Sequence, residues 1–313
     1  MELRGKKILL TGGDGFLGKY VWQQLVESGV APGDIRMPHH VQNDLRIREN
    51  CDQAVKGMDL VIHLAATVGG IGFNQRNPGV LFYDNMIMGT QLMDAACRTG
   101  VGKFIQIGTV CAYPKFTTVP FKEDELWSGY PEETNAPYGI AKKALLVMAQ
   151  AYRQQYGLNA IYLLPVNLYG PGDNFDPEDS HVIPSLIRKC VEARISGSGE
   201  ITVWGTGVPT REFLYVEDCA RGIIQAAQGY DGAEPVNLGS GEEVSIRDLV
   251  DLIARISGFE GRVKWDRSRP DGQPRRKLDT ERASKFGFAA RTALEDGLVR
   301  TVQWYEENRD RMV

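Results

Sequence analysis

The stretch KKILLTGGDGFLG (residues 6–18) decides the fold of this chain. Lys6 to Thr11 form a short apolar run that predicts a strand, and glycines follow it at the spacing GxxGxxG. The next residues, YVWQQLVESG, carry apolar side chains at helical spacing and end near Gly29. A strand, a glycine turn and a helix in this order are the fingerprint of a dinucleotide-binding unit.

Each of the three glycines is expected to have its own role. Gly12 allows the tight turn, Gly15 lets the backbone approach a pyrophosphate, and Gly18 lets the helix lie close to the strand. The amino terminus of the helix supplies free N–H groups and a partial positive charge for phosphates. The alternative is a glycine turn in an α/β fold that holds no cofactor.

Strand-like and helix-like segments alternate through the first half of the chain. Further runs rich in Ile, Val and Leu predict strands at 35–38, 59–65, 103–109 and 159–166. Helical patterns lie near 16–28, 50–56, 79–99 and 138–156. This alternation predicts an α/β fold, a Rossmann-like doubly wound parallel sheet with helices on both faces.

The character of the chain changes after about residue 170, where loops lengthen and Pro, Gly and charged residues become dense. We therefore predict a dinucleotide-binding domain at 1–170, to which segments near 211–240 return. A smaller carboxy-terminal α/β lobe at 171–313 is predicted to bind the substrate, which would lie in the cleft between the two.

Composition excludes several classes of function. The net charge of −4 over 313 residues gives no support for nucleic acid or an anionic membrane as a partner. No apolar run reaches the roughly 18 residues of a membrane-spanning helix. The five cysteines are scattered without a CxxC or Cys/His cluster, so we predict no metal site and reduced thiols in a cytoplasm.

Tyr138 and Lys142 stand four residues apart in PYGIAKKALLVMAQAY, a stretch that predicts a helix. This spacing places both side chains on one face. A tyrosine hydroxyl is a poor acid or base near neutral pH, and a nearby ammonium is expected to lower its pKa toward the working range. The pair can therefore act as a proton relay.

These features together resemble the extended short-chain dehydrogenase/reductase family, the NAD-dependent epimerases and dehydratases. The resemblance rests on GxxGxxG, HLAA at 63–66, Thr109 after the fourth strand, and YxxxK, and it covers nearly the whole chain. The chain is most similar to the family members that epimerise GDP-4-keto-6-deoxymannose and reduce it to GDP-L-fucose. The matching stretches are ATVGGI (66–71), VCAYPK (110–115), NAPYGIAK (135–142), NLYGPGDNF (167–175), SHVIP (180–184), VWGTGVPTREFLYVEDCA (203–220) and RPDGQPRRKLD (269–279).

The resemblance implies a division of catalytic labour. Cys111 and His181 match the residues that remove a proton beside the sugar ketone and return one on the opposite face. Tyr138 would protonate the oxygen at C4 during reduction, Lys142 would hold the tyrosine pKa down, and Thr109 would polarise the same carbonyl. Read from the residues alone, a cysteine after a strand is more often a small buried apolar group, and a histidine in a loop is often merely solvated.

The resemblance also implies cofactor contacts along the chain, at Gly12, Gly15, Phe16, Leu17, Gly18, His40, Asp44, Leu64, Ala65, Ala66, Asn85, Lys142, Pro165, Asn167 and Leu168. The second predicted strand runs into Pro38, His39 and His40 without the acidic residue that favours NAD. The similar family members that use NADPH place arginines where this chain has Asp14 and His40. Both cofactors stay open, and the resemblance favours NADP(H).

The predicted substrate contacts are Asn167, Lys189, Trp204, Arg211 and Arg276. Guanidinium groups suit a nucleotide diphosphate because they form paired hydrogen bonds with its oxygens. The alternative for the charged members is a solvated surface position. His63, at the end of an apolar run, is expected to be a core histidine without a chemical role.

The sequence also allows alternative functions. A nucleotide-sugar epimerase with tightly bound NAD(P), acting for example on a GDP-keto-heptose, would need no net reduction. A dehydratase is disfavoured because Val110 and Cys111 stand where an acidic pair is usual. A non-catalytic dinucleotide-binding regulator would be expected to lack Tyr138. A homodimer is predicted because relatives pair through two helices, one of which would match 138–156.

Overall fold

The computed structural model of the chain describes residues 1–269 and 271–311. Pro270, inside the stretch at 269–279, and the last two residues of the predicted lobe lie outside the described residues. The strands are β1 (Ile8–Thr11), β2 (Ile35–Arg36), β3 (Leu60–His63), β4 (Lys103–Ile107), β5 (Ala160–Pro165), β6 (Asn167–Tyr169), β7 (Glu200–Trp204), β8 (Thr210–Arg211), β9 (Phe213–Tyr215), β10 (Val236–Leu238), β11 (Val244–Ser245) and β12 (Arg262–Asp266).

Helices separate most of these strands. They are α1 (Phe16–Glu27), α2 (Arg48–Ala54), α3 (Ile71–Arg76), α4 (Pro78–Arg98), α5 (Ala136–Tyr156), α6 (Val182–Ser196), α7 (Val216–Gly229), α8 (Ile246–Ile256), α9 (Glu281–Ser284) and α10 (Leu294–Asn308). Short 3₁₀ turns lie at Pro32–Asp34, Val110–Ala112, Glu123–Trp127 and Arg309–Arg311.

The central sheet confirms the predicted Rossmann-like α/β fold. Its six strands follow the order β10-β5-β4-β3-β1-β2, and every neighbouring pair is parallel. The chain leaves β1 through α1 toward β2 on one side, whereas β3 lies on the other side of β1. Ligands of such sheets bind at this switch point, beyond the carboxyl ends of the strands.

Both faces of the sheet are buried, as the apolar strands require. In β1, Ile8 and Leu10 join a core with α1 and α7, while Leu9 joins a second core with α2 and α4. Residues of β3 and β4 alternate between the same two cores. The core therefore holds the strand ends, and the loops that follow them, in one register.

A third core lies in the later part of the chain. It joins α6, α8 and α10 through residues such as Ile187, Leu249 and Leu298, and strands β7 and β12 pair in parallel beside it. Between these elements the chain returns to the first unit, since α7 packs against α1 and β10 completes the central sheet. The proposed division at residue 170 stays a prediction.

Two local features differ from the expectations. The second strand ends at Arg36 rather than at residue 38, because Pro38 has no N–H to donate and restricts Met37. Helix α6 lies in the part of the chain after about residue 170 where the loops were expected to lengthen. Its Pro184 lies in the first turn, where a helix tolerates proline.

The amino-terminal edge of the sheet is closed by a buried cation. Lys103 begins β4 and is fully buried. Its Nζ donates to the carbonyl oxygens of Ala227 (2.7 Å) and Tyr230 (2.6 Å) and to Asp231 Oδ1 (2.9 Å). A cation suits the last carbonyls of α7, which have no partner within the helix.

Candidate active site

Gly12 and Gly18, at the turn after β1, lie where a side chain has no room. Gly12 has φ +71°, and a Cβ on it would lie 2.9 Å from Ala65 N. A Cβ on Gly18 would collide with the carbonyl oxygen of Gly12, so the first turn of α1 sits directly on the glycine turn. Phe16 and Leu17, the first residues of α1, are half-buried there.

Gly15 is the N-cap of α1 and is exposed. In the described part of the chain no side chain caps this helix, so its first N–H groups keep their capacity for an anion. A tight turn built on glycines, with Asp14 exposed between Gly13 and Gly15, and an uncapped helix terminus fit the pyrophosphate of a nicotinamide dinucleotide.

The residues after β3 lie against the end of β1. Leu64 N donates to Thr11 O (3.2 Å), Ala65 N donates to Thr11 Oγ1 (3.3 Å), and Ala66 follows, half-buried. His63 is buried and shares a hydrogen bond of 2.7 Å with the Thr11 hydroxyl. These residues lie together at the carboxyl ends of β1 and β3, beside the switch point.

Other predicted cofactor residues lie in three further elements. Asn85 is buried in α4 and donates to Thr67 O (2.8 Å), which fixes the segment after β3. Pro165 ends β5, and Asn167 and Leu168 lie in β6, half-buried. The structure therefore spreads these residues over the carboxyl ends of β3 and β5.

The segment beyond β2 carries an ion pair that the sequence analysis missed. Asp44 and Arg46 join at 2.8 Å, and the hydrogen bonds from Arg46 hold the pKa of Asp44 below its usual range. Arg46 also reaches Asp84 at 3.4 Å. His39 and His40 are exposed, with ring centroids 4.6 Å apart.

Tyr138 and Lys142 lie on α5, with Thr109 and Cys111 opposite them. The pKa of Tyr138 is raised, chiefly by burial and then by the Cys111 charge, while a hydrogen bond with Thr109 opposes the rise. Burial thus shifts the pKa of Tyr138 in the direction opposite to the one expected from Lys142, whose Nζ lies 5.9 Å from the tyrosine ring centroid. The role of Lys142 toward Tyr138 stays a prediction.

Lys142 is only 2% exposed, and burial lowers its pKa to about 8. Its backbone carbonyl accepts a hydrogen bond of 2.8 Å from the Tyr162 hydroxyl. Burial, followed by the charge of Lys142, lowers the pKa of His63 to about 3. Lys142 therefore lies beside the carboxyl end of β3.

Cys111 has two arginines as neighbours. Arg276 is buried, and its Nη1 lies 4.0 Å from Cys111 Sγ. Burial and the Arg276 charge lower the pKa of Arg211 to about 10, and the charges of Asp271 and Cys111 oppose this shift. The structure thus brings Cys111, Tyr138, Arg211 and Arg276 into one cluster, which no spacing in the sequence could reveal.

The buried carboxylate of Glu212 organises this cluster. Its Oε2 accepts a hydrogen bond of 2.6 Å from Leu278 N, and its own N–H donates to Arg276 O at 3.0 Å. Its carbonyl accepts from Asn167 Nδ2 at 3.1 Å. Glu212 therefore fixes the strand that carries Arg211 beside the segment that carries Arg276.

His181 lies at the start of the helix that follows the loop at 171–180. It is the N-cap of α6, and no hydrogen bond joins it to Cys111 among the described residues. Its side chain keeps access to solvent, yet protein packed around the ring lowers its pKa by burial. The preceding loop contacts the segment after β3, since Gly70 N donates to Asp179 O at 3.0 Å.

Lys189 and Trp204 line a separate groove between α6 and β7, with a volume of about 520 Å³. Lys189 Nζ donates to Thr202 O at 2.9 Å. Trp204 is 54% exposed, with the Arg269 guanidinium 4.9 Å from its ring centroid. The groove lining includes neither Cys111 nor Tyr138, so the groups suited to proton transfer lie in the cluster and not in this groove.

Gly139 is a further residue that the sequence analysis missed. A Cβ on it would collide with the carbonyl oxygen of Cys111. The amino-terminal turn of α5 can therefore approach the Cys111 segment only because residue 139 has no side chain. Its position directly after Tyr138 was the available signal.

Two classes of site are not found within residues 1–269 and 271–311. No group of three or more His, Cys, Asp or Glu side chains there could hold a metal ion. No helix in those ranges is both long and apolar enough to cross a membrane. All five cysteines are free thiols.

The chain is similar to known proteins over nearly its whole length. A GDP-L-fucose synthase of Arabidopsis thaliana is 39% identical, over 98% of this chain and 95% of its own length. A solved GDP-L-fucose synthetase of Naegleria fowleri with NADP bound is 30% identical, with a TM-score of 0.89 over 98% of this chain and 94% of its own. A GDP-6-OMe-4-keto-L-xylo-heptose reductase of C. jejuni is 25% identical, with a TM-score of 0.91 over 98% and 99%.

The family described as the NAD dependent epimerase/dehydratase family matches residues 8–239. This range begins with β1 and ends directly after β10, so it takes in the glycine turn, the Tyr138–Lys142 helix and the whole central sheet. A nicotinamide dinucleotide is therefore the cofactor class of this fold. The chain belongs to the NAD dependent epimerase/dehydratase family.

Proposed function

We propose that this chain is an NADP(H)-dependent epimerase-reductase that converts GDP-4-keto-6-deoxymannose to GDP-L-fucose. The observation that carries the proposal is the cluster of Cys111, Tyr138, Arg211 and Arg276, which sets a thiol, a phenol and two cations at one place. The names of relatives at up to 42% identity support the same substrate.

Epimerisation uses the acidity of the C–H bonds beside the sugar ketone. Cys111 takes a proton from one face of the sugar, which leaves an enolate, and His181 returns a proton to the opposite face of the same carbon. The lowered pKa of His181 leaves the imidazole neutral over more of the pH range, so a proton must reach it before each return. The approach of His181 to the sugar is part of the proposal.

Reduction needs an acid at the oxygen on C4. The raised pKa keeps Tyr138 protonated at neutral pH, so it can donate its proton to the developing alkoxide. Thr109 donates a hydrogen bond to the same oxygen, and the Lys142 ammonium stabilises the phenolate that remains. A bound NADPH would supply the hydride.

NADP(H) is proposed over NAD(H) on the charges beyond β2. The Asp44 carboxylate is already paired with Arg46 at 2.8 Å, so its charge is neutralised there. The exposed His39 and His40 offer donors to a 2′-phosphate. The NADP bound to the Naegleria fowleri protein supports this preference.

The alternative is a nucleotide-sugar epimerase with tightly bound NAD(P), acting on another GDP-sugar such as a GDP-keto-heptose. The fold likeness to the heptose reductase of C. jejuni favours that substrate class. The two readings differ in whether the sugar carries a seventh carbon and whether cofactor is consumed.

We also propose a homodimer through α4 and α5, which pack against each other. Exposed apolar side chains on these helices support it, at Val80, Phe82, Tyr83, Val147 and Tyr156. Light scattering on the purified protein tests this, and a monomer at micromolar concentration would contradict it. The predicted cytoplasmic location is consistent with the free thiols.

The first experiment follows nicotinamide oxidation by the purified protein with GDP-4-keto-6-deoxymannose, with NADPH and NADH in parallel. The proposal expects GDP-L-fucose as the product and a higher kcat/KM with NADPH. Deuterium uptake from heavy water without oxidation would favour the alternative. If neither cofactor oxidation nor deuterium uptake is detected, GDP-4-keto-6-deoxymannose is not the substrate. A GDP-keto-heptose would then be assayed next.

Two variants separate the steps. Tyr138→Phe is expected to stop reduction and to leave deuterium exchange at the carbons beside the ketone measurable. Cys111→Ser is expected to slow that exchange while an already epimerised ketone is still reduced. Wild-type exchange in Cys111→Ser would assign the proton transfer to another group.

A further inference from the structure

Gln273 is a buried residue, 5% exposed, that the mechanism above does not use. Its Oε1 accepts from Arg276 Nη2 (2.8 Å) and Nε (3.1 Å). Its Nε2 donates to the carbonyl oxygens of Lys115 (2.7 Å) and Pro114 (3.1 Å). The amide thus connects Arg276 to the chain three and four residues beyond Cys111.

These bonds determine which way the guanidinium faces. Nε and Nη2 form one edge of the Arg276 fork, and Gln273 occupies that edge. The remaining nitrogen, Nη1, lies 4.0 Å from Cys111 Sγ. Because a guanidinium is planar and its donors are fixed, holding one edge directs the other.

The amide is also an uncharged partner. The neighbouring Arg275 is paired with the Glu243 carboxylate at 2.6 Å, so its charge is neutralised at the surface. Arg276 meets a neutral oxygen instead, and Arg211 donates to the carbonyl oxygens of Thr210 and Asp271. Both cluster arginines therefore keep a positive charge for the thiolate and for an anionic substrate.

We propose that Gln273 is a positioning residue that directs the uncompensated charge of Arg276 onto Cys111. A cation beside a sulfur stabilises the thiolate, which is the form that can take a proton or react with an alkylating agent. The link to catalysis rests on the proposed function, since only epimerisation needs Cys111 as a base. The link between Gln273 and the reactivity of Cys111 does not.

The test is alkylation of the full chain by iodoacetamide between pH 6 and 10, with each cysteine followed by peptide mass spectrometry. Gln273→Leu is expected to slow alkylation of Cys111 at pH 7 roughly ten-fold, because the Arg276 guanidinium is no longer held beside the sulfur. Cys97, the other partly exposed thiol, is the internal reference and should not change.

Unfolding of Gln273→Leu would be recognised by a rise in the alkylation rate of Cys97. Gln273→Glu is the second variant for that case. It keeps the volume and the acceptor for Arg276, loses the Nε2 donor to Lys115 and Pro114, and adds a charge that compensates the guanidinium, so alkylation of Cys111 at pH 7 should again fall. A purely structural role would change the rate at Cys97 as well, whereas the charge effect is confined to Cys111. Arg275→Gln, which removes the neighbouring surface charge, is the matched control and should have no effect.

Unchanged alkylation of Cys111 in Gln273→Glu, or in a folded Gln273→Leu, would overturn the inference. Because this assay needs no substrate, its result stands even if the wild-type chain does not turn over GDP-4-keto-6-deoxymannose. Absence of turnover with normal thiol behaviour would instead count against the proposed function alone. A parallel fall in deuterium exchange in the Gln273 variants would link the reactivity of Cys111 to its role as a base in epimerisation.

Discussion

Two buried lysines mark opposite ends of the central sheet and have opposite surroundings. Lys103, at the amino-terminal edge, meets backbone carbonyls of α7 and the Asp231 carboxylate. Lys142, near the carboxyl-terminal edge, has burial as the cause of its lowered pKa, with no opposing partner among the described residues. For Lys103, burial also lowers the pKa, but Asp231 opposes it.

The difference between the two lysines indicates that Lys103 stabilises the fold and that Lys142 serves the chemistry. A buried cation with a full set of acceptors supports the structure, whereas one without them costs free energy and stays available to a ligand. Arg211 and Arg276 likewise have no carboxylate as a hydrogen-bond partner, since their acceptors are neutral oxygens. The fold thus leaves its uncompensated charge at the edge where parallel sheets bind ligands.

The largest effect on activity is expected from Lys142→Met, which removes the buried lysine without an acidic partner. We expect reduction to fall about 10³-fold, since Tyr138 loses the cation that stabilises its phenolate. The free energy of unfolding at pH 7 should rise by about 1–3 kcal/mol, because the pKa of about 8 shows that folding disfavours the charged form. Steady-state kinetics and urea unfolding measure the two effects. A loss of stability would mean that the ammonium has a stabilising partner.

Lys103→Met should give the reverse pattern. The carbonyls at the end of α7 would lose their donor, so we expect the free energy of unfolding to fall by about 3 kcal/mol. Turnover per folded molecule should stay near wild type. Asp231→Asn is the matched control, because its side chain is 65% exposed and its loss should cost less than about 1 kcal/mol. If the two variants lost equal free energy of unfolding, the carbonyls of α7 would not be the main partners of Lys103, and the contrast with Lys142 would fail.

Gly139→Ala tests how closely the reactive edge must be packed. The new Cβ would force α5 away from the Cys111 backbone, and a shift of about 1 Å can cost 100-fold in rate. We expect deuterium exchange and reduction to fall together. Gly79→Ala, in the first turn of α4 with open space around the new Cβ, should leave both rates unchanged. Activity of Gly139→Ala at the wild-type level would show that the cluster tolerates displacement.

The smallest effect is expected from pH. Because burial lowers the pKa of Lys142 to about 8, the ammonium is lost as pH rises through that value. Reduction of an already epimerised ketone should therefore fall above about pH 8, by up to tenfold per unit. Over the same range the contribution of Lys142 to the stability of the wild type should rise, because the unfolded lysine still binds the proton that the folded one has lost. A flat rate profile to pH 9.5 would contradict the assignment.

Much of the fold could be predicted because it depends on local patterns. The apolar runs of β1, β3, β4 and β5 and the glycine turn at Gly12 were identified from residue type and spacing. Helix α6 was not predicted, because Pro, Gly and charged residues are dense in the chain before it; its Pro184 lies in the first turn, where a helix tolerates proline. The shortened β2 reflects Pro38, whose effect on the residue before it reaches beyond its own position.

The sequence by itself determined the order of strands and helices, the glycine turn and the facing pair of Tyr138 and Lys142, because each depends on residues close together in the chain. Only the tertiary structure decided that Arg276 meets Cys111, 165 positions apart, and that Gln273 holds it there. It also decided the direction of the Tyr138 and Lys142 pKa shifts, since both follow from how much water the packed chain excludes. Burial and long-range contacts are properties of the folded surface, and no local pattern encodes them.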